Sequence, residues 1–309
     1  MKKILITEFM DEPAVAALRT QFEVHYAPNM VDDAVAMKAA IAAVDAIIVR
    51  NRTQVRGELL AAGTKLSVVG RLGVGLDNID VEACKGRGIA VIPATGANAL
   101  AVAEYVIATA MMLLRGAYTS TAAVGAGKWP RNPLSNGREI AGKTLGLIGF
   151  GGIGRLTAQL GRGLGMKIVA ADAMLPASDP VWAAESATAM TVEEVLRAAD
   201  VVSLHVPLTP QTKNLIDPAR LALMKPDAIL VNTARGGVVD EAAVAAALKA
   251  GKLGGAALDV FTAEPLPAGS PLADAPNLVL TPHIAGLTRE SNDRVASMIA
   301  ERVAAALTR

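Results

Sequence analysis

Short runs of apolar residues alternate with amphipathic stretches along nearly the whole chain. In the first hundred or so residues the apolar runs are 3–7, 46–50, 66–70 and 89–93, and apolar residues recur at helical spacing in 13–20 and 33–43. Further along, the apolar runs are TLGLIG, KIVAAD, DVVSLHV, AILVNTA, GGAALDV and NLVLTP. This alternation predicts parallel, doubly wound α/β sheets, and runs that are apolar throughout indicate strands buried on both faces.

The length of the chain and the break in this pattern predict two domains. A chain of 309 residues exceeds the size at which one hydrophobic core keeps growing. We expect a smaller domain formed by 1–97 and completed by an amphipathic helix in 287–309, and a second domain formed by 98–286. The long apolar helix predicted at 98–115 would lead from the first domain into the second.

Composition narrows the function classes. The 30 Lys and Arg residues balance 29 Asp and Glu residues, so no global charge attracts nucleic acid or an anionic membrane. The single cysteine, Cys84, excludes an internal disulfide framework and a cysteine-rich metal site, and we predict no metal. The longest apolar stretch, 105–114, is too short to span a bilayer, and the N-terminus turns polar at Thr7. We therefore expect a cytoplasmic protein.

A glycine-rich loop lies between a predicted buried strand and a predicted helix. Its glycines are Gly149, Gly151 and Gly154, at the spacing GxGxxG. The first permits a tight turn, the second lets backbone approach a pyrophosphate, and the third lets helix and strand pack closely. The next predicted strand ends at Asp172, which can bind both ribose hydroxyls and would repel a 2′-phosphate. The pattern favours NAD over NADP; the alternative is a structural glycine turn with a solvated aspartate.

Four polar residues follow predicted strands of the second domain: Arg235, Asp259, Glu264 and His283. Because parallel strands end at one edge of a sheet, we expect these side chains to converge there. Arg235 could hold the carboxylate and carbonyl of a 2-keto acid, and a protonated His283 could neutralise the alkoxide formed by hydride transfer. Glu264 beside the imidazole would stabilise its charged form. In the reverse direction neutral His283 would act as the base.

The other histidines are weaker candidates for the acid. We expect His25 at the surface and His205 within a buried strand near the cofactor. The alternative for His283 is a purely structural role after its strand.

Several ordered motifs together resemble one enzyme family over essentially the whole chain. They are GRLGVGLDNID, GANALAVAEYVI, GFGGIG, LHVPLTPQT, NTARGGVVDE, ALDVF with EP, and TPHIAG. The chain is similar to the D-2-hydroxyacid dehydrogenases, in the branch that includes D-3-phosphoglycerate dehydrogenases, in a short form without a regulatory domain. The resemblance implies a Rossmann NAD-binding domain and a smaller flavodoxin-like substrate domain. Many members of the phosphoglycerate branch add a C-terminal regulatory domain, and because this chain stops at Arg309 we expect no serine-type feedback through such a domain.

The resemblance also implies site residues. It makes Arg235, Glu264 and His283 the catalytic triad, places Asp259 against the nicotinamide amide and Asp172 against the ribose, and gives the substrate carboxylate to the backbone of 73–75. The cofactor-binding candidates are Gly149, Gly151, Gly152, Ile153, Gly154, Asp172, His205, Val206, Pro207, Thr212, Thr233, Ala234, Asp259 and Gly286. The substrate-binding candidates are Arg50, Arg52, Leu72, Gly73, Val74, Gly75, Asn98, Arg235 and His283.

Arginines near the strand ends of the first domain indicate what charge the substrate carries. Arg50, Arg52 and Arg71 predict a D-2-hydroxy acid with a second anionic group, such as 3-phosphoglycerate or sulfolactate. The alternatives are that Arg52 and Arg71 only pair with acidic residues at the surface, and that the enzyme is a glyoxylate or hydroxypyruvate reductase. Glu264 stands where formate dehydrogenases of the superfamily carry Gln, which argues against formate. A non-enzymatic alternative is an NAD(H)-sensing scaffold like the corepressors of this fold.

The helix at 98–115 is apolar around much of its circumference, more than one buried face requires. The loop 127–133 carries Trp129 between Lys128 and Arg131. In the family this region forms a two-fold dimer. We expect a homodimer in which the Trp129 loop reaches the active site of the partner subunit; the alternative is a helix buried within a monomer.

Overall fold

The computed structural model describes residues 1–308 and divides into two compact units. The first consists of Met1–Asn98 and the segment from Leu287 onward, and the second is Ala99–Gly286. The division falls one residue later than the sequence suggests, since Asn98 belongs to the first unit.

The first unit contains a parallel sheet with the strand order β2-β1-β3-β4-β5. Its strands are β1 Lys3–Ile6, β2 Glu23–Tyr26, β3 Ala46–Val49, β4 Val68–Arg71 and β5 Ala90–Pro93. Its helices are α1 Glu12–Arg19, α2 Ala34–Ile41, α3 Gly57–Ala62, α4 Val81–Gly86 and the late helix α12 Arg289–Leu307, with a 3₁₀ turn at Met30–Asp32. This is the flavodoxin-like order, whose direction reverses between β1 and β3.

The second unit contains a parallel sheet with the order β12-β11-β10-β9-β6-β7-β8. Its strands are β6 Thr144–Ile148, β7 Lys167–Ala171, β8 Thr188–Ala189, β9 Val201–Leu204, β10 Ile229–Asn232, β11 Gly255–Leu258 and β12 Leu278–Leu280. Its helices are α5 Ala99–Arg115, α6 Thr121–Gly125, α7 Gly152–Gly163, α8 Val181–Ala184, α9 Val192–Ala198, α10 Pro218–Leu221 and α11 Glu241–Lys249, with 3₁₀ turns at Ala117–Ser120 and Pro133–Asn136. The order reverses between β6 and β9, as in a Rossmann fold, so both predicted sheets are confirmed.

Packing of α12 onto the first sheet explains why the end of the chain belongs to the first unit. Thr288 and Ser291 form a capping box that starts the helix. Val295, Ile299 and Val303 then lie in the core with β1, β3 and β4. A Cβ added at Gly70 would lie 2.8 Å from Val303 Cγ2, so the close contact between β4 and this helix needs a glycine.

Three features of the fold differ from the sequence expectation. The two-residue edge strand β8, Thr188–Ala189, is too short to produce an apolar run and is not among the predicted strands. Strand β2 is not apolar: Glu23 and His25 are exposed, which makes its pattern too polar to stand out, although it pairs fully with β1. His205 does not lie within a buried strand, because β9 ends at Leu204 and His205 is only partly buried. His25 is exposed, as expected, and Cys84 is buried in the core.

Within residues 1–308, no single helix is long and apolar enough to cross a membrane. Helix α5 and the adjoining segment Ala117–Gly125, bent by 67°, would pass such a test together on length and composition alone. Much of α5 is buried in the second unit, and the core helix of a globular domain passes the same test.

Candidate active site

The glycine-rich loop connects β6 to α7 at the point where the order of the second sheet reverses. Gly149 has φ of +96°, and a Cβ there would lie 2.4 Å from the carbonyl oxygen of His205. A Cβ at Gly154 would lie 2.3 Å from the carbonyl oxygen of Gly149. At Gly151 and Gly152, by contrast, a Cβ would meet no atom within 4 Å. Packing therefore demands the first and third glycines of the motif, while the second faces open space beside the N-terminus of α7.

Asp172 follows β7 and is held by the loop. Its Oδ2 accepts a hydrogen bond of 2.7 Å from the backbone N–H of Phe150, and its Oδ1 accepts one of 2.8 Å from Met174 N–H. Each carboxylate oxygen can accept a second hydrogen bond. The carboxylate is thus fixed beside the glycine loop with the capacity to bind two ribose hydroxyls.

These groups fit NAD. The open backbone at Gly151 and Gly152, the N–H groups at the start of α7 and the anchored Asp172 carboxylate suit a pyrophosphate and a ribose. Thr233, just after β10, adds a buried hydroxyl whose oxygen has no hydrogen-bond partner among the described residues. A buried polar atom left without a partner calls for a ligand or water atom beside it.

His205, which follows β9, borders the glycine loop. Its Nε2 lies 3.0 Å from Ser203 Oγ, and its backbone N–H donates to the carbonyl of Ile148 at 2.7 Å. Burial lowers the pKa of His205 to about 4, so its ring is neutral at neutral pH. Farther along, the Thr212 hydroxyl donates to the carbonyl of Pro207 at 2.6 Å and closes the turn. His205 is therefore not available as a proton donor at neutral pH.

Glu264 and His283 form a hydrogen-bonded pair, with Oε2 and Nδ1 separated by 2.8 Å. The other carboxylate oxygen of Glu264 accepts from the backbone N–H of Phe261 at 3.0 Å, which fixes its orientation. His283 lies at φ +57°, a region that non-glycine residues seldom adopt, and its N–H donates to the Asp259 carbonyl at 2.8 Å. The imidazole is held through Nδ1 in a defined place after β12.

Arg235 lies on the turn after β10, beside the loop that carries Glu264. The side chain of Asn232 holds this turn, because its Oδ1 accepts from Ala234 N–H at 3.1 Å and its Nδ2 donates to the Arg235 carbonyl at 3.1 Å. A Cβ at Gly236 would lie 1.8 Å from the carbonyl oxygen of Phe261, so the two loops touch through backbone. Strands β10, β11 and β12 are neighbours, and the expected meeting of arginine, glutamate and histidine loops at one sheet edge follows from that order.

A buried hydrogen-bond chain that sequence reasoning missed supports the histidine loop. Asp259 is only 1% exposed, and its carboxylate accepts from the Thr281 hydroxyl at 2.6 Å and from the N–H groups of Ile284 and Ala285 at 2.8 Å each. The Tyr105 hydroxyl lies 2.6 Å from Thr281 Oγ1. Because Thr281 gives its proton to Asp259, Tyr105 must be the donor to Thr281. Burial, and then the charge of Asp259, raise the pKa of Tyr105, which keeps it protonated for this role.

Three arginines near the strand ends of the first unit have different partners: the two substrate-binding candidates Arg50 and Arg52, and Arg71. Arg50, after β3, is partly buried; it donates to the side-chain oxygen of Asn292 and lies 5.7 Å from the ring centre of Phe9. Arg52 forms an exposed ion pair with Asp32. Arg71 donates to the carbonyls of Leu72 and Gly75, at 2.6 and 2.9 Å.

The loop 72–75 and Asn98 follow β4 and β5. Leu72 is buried and Val74 is partly exposed, and Gly73 has φ of +151°. A Cβ at Gly73 would lie 2.0 Å from Nη1 of Arg71, so the arginine folds over this glycine. The buried Oδ1 of Asn98 has no hydrogen-bond partner among residues 1–308. Of the remaining candidates, Ile153 is in the first turn of α7, Val206 and Ala234 follow β9 and β10, and Gly286 ends the second unit.

Comparison with known proteins agrees with this geometry. The family model described as D-isomer specific 2-hydroxyacid dehydrogenase, NAD binding domain, matches residues 107–285. The chain is 52% identical over 307 residues to an (S)-sulfolactate dehydrogenase of Chromohalobacter salexigens, with 99% of each chain covered. It is 40% identical over 305 residues to a D-3-phosphoglycerate dehydrogenase of Mycobacterium leprae, covering 98% of this chain but only 56% of that protein.

Among solved structures, D-lactate dehydrogenase from Aquifex aeolicus, complexed with NAD and lactic acid, superposes with a TM-score of 0.86 at 29% identity. The match covers 99% of this chain and 95% of that one. The expected cofactor and reaction class are thus confirmed: the protein is an NAD-dependent oxidoreductase of 2-hydroxy acids. The chain belongs to the D-isomer specific 2-hydroxyacid dehydrogenase family.

Proposed function

We propose that the enzyme interconverts a D-2-hydroxy acid that carries a second anionic group with its 2-keto acid, and that the pair is sulfolactate and sulfopyruvate. The observation that carries this proposal is the partly buried Arg50, whose guanidinium is hydrogen-bonded to a neutral side chain. Arg50 follows β3 and Phe9 follows β1, where the order of the first sheet reverses, which is the usual ligand position in an open α/β sheet.

The chemistry follows from the triad in the second unit. When bound, NADH supplies the hydride that reduces the carbonyl carbon, and NAD accepts it in the reverse direction. Arg235 binds the carboxylate and carbonyl oxygens of the keto acid. His283 donates its proton to the carbonyl oxygen as negative charge develops there, and Glu264 stabilises the imidazolium before the transfer. In the oxidative direction neutral His283 removes the hydroxyl proton.

Charge favours a sulfonate as the second group. Arg52 is paired with Asp32, and Arg71 donates to the carbonyls of its own loop, so Arg50 is the arginine that we assign to the ligand. The carboxylates of Asp11 and Glu8 act on the Arg50 guanidinium and already offset part of its charge. A sulfonate carries one negative charge, whereas a phosphate monoester carries about −1.5 to −2 at pH 7. One guanidinium matches the sulfonate better, and the relative that is 52% identical is an (S)-sulfolactate dehydrogenase.

The stereochemical labels agree with this assignment. Sulfur outranks oxygen in the priority rules, so the CH₂SO₃ group of sulfolactate takes precedence over the carboxylate. The descriptor therefore reverses relative to lactate, and (S)-sulfolactate has the same spatial arrangement as D-lactate. A D-specific dehydrogenase fold and an (S)-sulfolactate substrate are compatible.

A panel of 2-keto acids with NADH tests the proposal: sulfopyruvate, phosphohydroxypyruvate, oxaloacetate, hydroxypyruvate, pyruvate and glyoxylate. A charge-assisted hydrogen bond from Arg50 should favour sulfopyruvate over pyruvate by about 10- to 150-fold in kcat/KM. Arg50→Ala should remove most of that advantage, while Arg19→Ala, which removes an exposed arginine paired with Glu12, should preserve it. Equal use of pyruvate or glyoxylate would contradict the proposal, and loss of the advantage in Arg52→Ala alone would move the contact to Arg52.

We further propose a cytoplasmic homodimer in which the loop 127–133 reaches the partner's active site. The segment from α5 to this loop carries several exposed large apolar side chains; they are Leu100, Met111, Tyr118, Val124 and Trp129. Trp129 is 78% exposed, and apolar groups collected on one region of a surface mark an interaction site. A second copy of the chain is the partner proposed for this surface.

The dimer can be tested by measuring mass in solution together with activity. We expect a two-chain mass for the unaltered protein, and Trp129→Ser should lower activity by disturbing the partner's site. This variant retains Trp182, which is buried against Phe150, so an unchanged Trp182 fluorescence shows that the variant is folded. A monomeric mass at full activity would exclude the dimer.

A further inference from the structure

The loop that carries Arg50 is held by a buried carboxylate from another strand end. Glu8 follows β1 and is only 5% exposed. Its Oε1 accepts hydrogen bonds from the N–H groups of Arg50 at 2.8 Å and Thr53 at 3.0 Å, and its Oε2 accepts one from Arg52 N–H at 3.1 Å. One side chain therefore satisfies three donors of the loop 50–53.

The carbonyls of the same loop are held by a second buried side chain. Asn78 is 5% exposed, and its Nδ2 donates to the carbonyls of Thr53 at 2.7 Å and Arg50 at 3.2 Å. The hydroxyls of Thr7 and Thr53 lie 2.9 Å apart and add a third tie to β1. Glu8 and Asn78 together bind both the N–H and the C=O of Arg50, which fixes the backbone from which its side chain extends.

This arrangement requires an ionised carboxylate at position 8. Burial alone would raise the pKa of Glu8, but the backbone N–H groups of Thr53, Arg50 and Arg52 outweigh it and hold the pKa below its ordinary value. A carboxylate only accepts hydrogen bonds, whereas a glutamine amide nitrogen is a donor and would face one of these N–H groups. A long, flexible arginine loses less freedom on binding a ligand when its backbone is already fixed.

We propose that Glu8, together with Asn78, is a positioning residue that sets substrate preference through Arg50. The inference rests on the proposed function, in which Arg50 binds the distal anionic group. Glu8 itself touches no substrate atom; it places the guanidinium. Disturbing it should therefore weaken recognition of the distal anion and leave the chemistry at the triad intact.

The test compares sulfopyruvate with pyruvate in Glu8→Gln. We expect KM for sulfopyruvate to rise about tenfold, the loss of roughly one well-placed charge-assisted contact, with kcat changed by less than about twofold. KM for pyruvate should change by less than about twofold. Glu12→Gln, which removes an exposed carboxylate of the same unit paired with Arg19, is the matched control and should alter neither KM.

A second variant and a double variant separate positioning from general stability. Asn78→Ser loses at least one of the two carbonyl contacts. Like Glu8→Gln, it should lower the ratio of kcat/KM for sulfopyruvate to kcat/KM for pyruvate. In an Arg50→Met background, Glu8→Gln should cause no further change in that ratio, since Glu8 acts through Arg50. Melting temperature and NADH fluorescence show which variants are folded, and Asn78→Ser decides the matter if Glu8→Gln does not fold.

Different results would contradict the role of Arg50 and the role of Glu8. If Arg50→Met leaves the ratio unchanged, the proposed role of Arg50 is wrong. The positioning role alone is overturned if Arg50→Met abolishes the preference for sulfopyruvate while folded Glu8→Gln or Asn78→Ser keeps it. It is also overturned if Glu8→Gln and Asn78→Ser lower kcat/KM for sulfopyruvate and for pyruvate equally.

Discussion

Replacing His283 with alanine should lower kcat for keto-acid reduction by about 10² to 10⁴-fold, the range typical of a positioned general acid. The expectation rests on geometry: Nδ1 is bound to Glu264 at 2.8 Å, the peptide N–H is bound to Asp259, and Nε2 is left to act on substrate. Neither of the other histidines can substitute, because His205 is neutral and His25 lies exposed on β2 of the first unit. NADH affinity, measured by fluorescence titration, should change little.

Two further variants sharpen this prediction. His25→Ala is the matched control and should retain full activity, because it removes an exposed histidine to which no role is assigned. Glu264→Gln retains a hydrogen-bond acceptor for Nδ1 but removes the negative charge, and should cost about tenfold in kcat, the difference between a charge-assisted and a neutral hydrogen bond. If His283→Ala retained more than a tenth of the activity, another group would have to supply the proton.

The sheet edges were predictable because apolar runs report buried parallel strands directly. Once β10, β11 and β12 are recognised, the residues after them must lie along one edge, which is why Arg235, Glu264 and His283 could be selected together. The glycine loop was equally predictable. Crowding requires glycine at Gly149 and Gly154, and the open position of Gly151 lets a pyrophosphate approach the backbone, so the GxGxxG spacing is visible in the sequence. Strand β2 was missed because an edge strand with exposed Glu23 and His25 lacks the apolar signal.

What the sequence could not predict are the partners of individual polar groups. Arg50 and Arg52 are separated by one residue and carry the same charge, yet one lies beside Asn292 and Phe9 while the other pairs with Asp32. Nothing local distinguishes them, because the partners come from distant segments. Arg71, similarly, donates to the carbonyls of Leu72 and Gly75, so its guanidinium is directed to its own loop.

The hydrogen-bond partners of the buried acids Asp259 and Glu8 could not be predicted either. Asp259 was selected for a contact with the nicotinamide amide, but three donors of the histidine loop occupy its carboxylate, leaving one acceptor position on Oδ2. Its main structural effect is to hold the backbone on either side of His283. A glutamate after a strand is usually a surface residue, and only the three-dimensional contacts show that Glu8 holds the arginine loop.

The choice between NADH and NADPH should depend strongly on Asp172, which is only partly exposed. Its carboxylate is tied to Phe150 N–H and Met174 N–H, so it cannot swing away from a 2′-phosphate without breaking two hydrogen bonds. Like charges held together cost several kcal/mol, which predicts a preference for NADH of at least about a hundredfold in kcat/KM. The neighbours Ala173 and Met174 offer no cation to offset the repulsion.

Asp172→Ser should therefore narrow the preference to within about tenfold, both by removing the repulsion that excludes NADPH and by losing the ribose contacts that favour NADH. Steady-state kinetics with both cofactors at a fixed keto-acid concentration measures the two effects separately, since relief of repulsion raises kcat/KM for NADPH while loss of the ribose contacts lowers it for NADH. Asp274→Ala, at an exposed aspartate of the same unit, is the control and should leave the preference unchanged. Equal use of NADH and NADPH by the unaltered enzyme, or an undiminished preference in Asp172→Ser, would show that cofactor selection resides elsewhere in the chain.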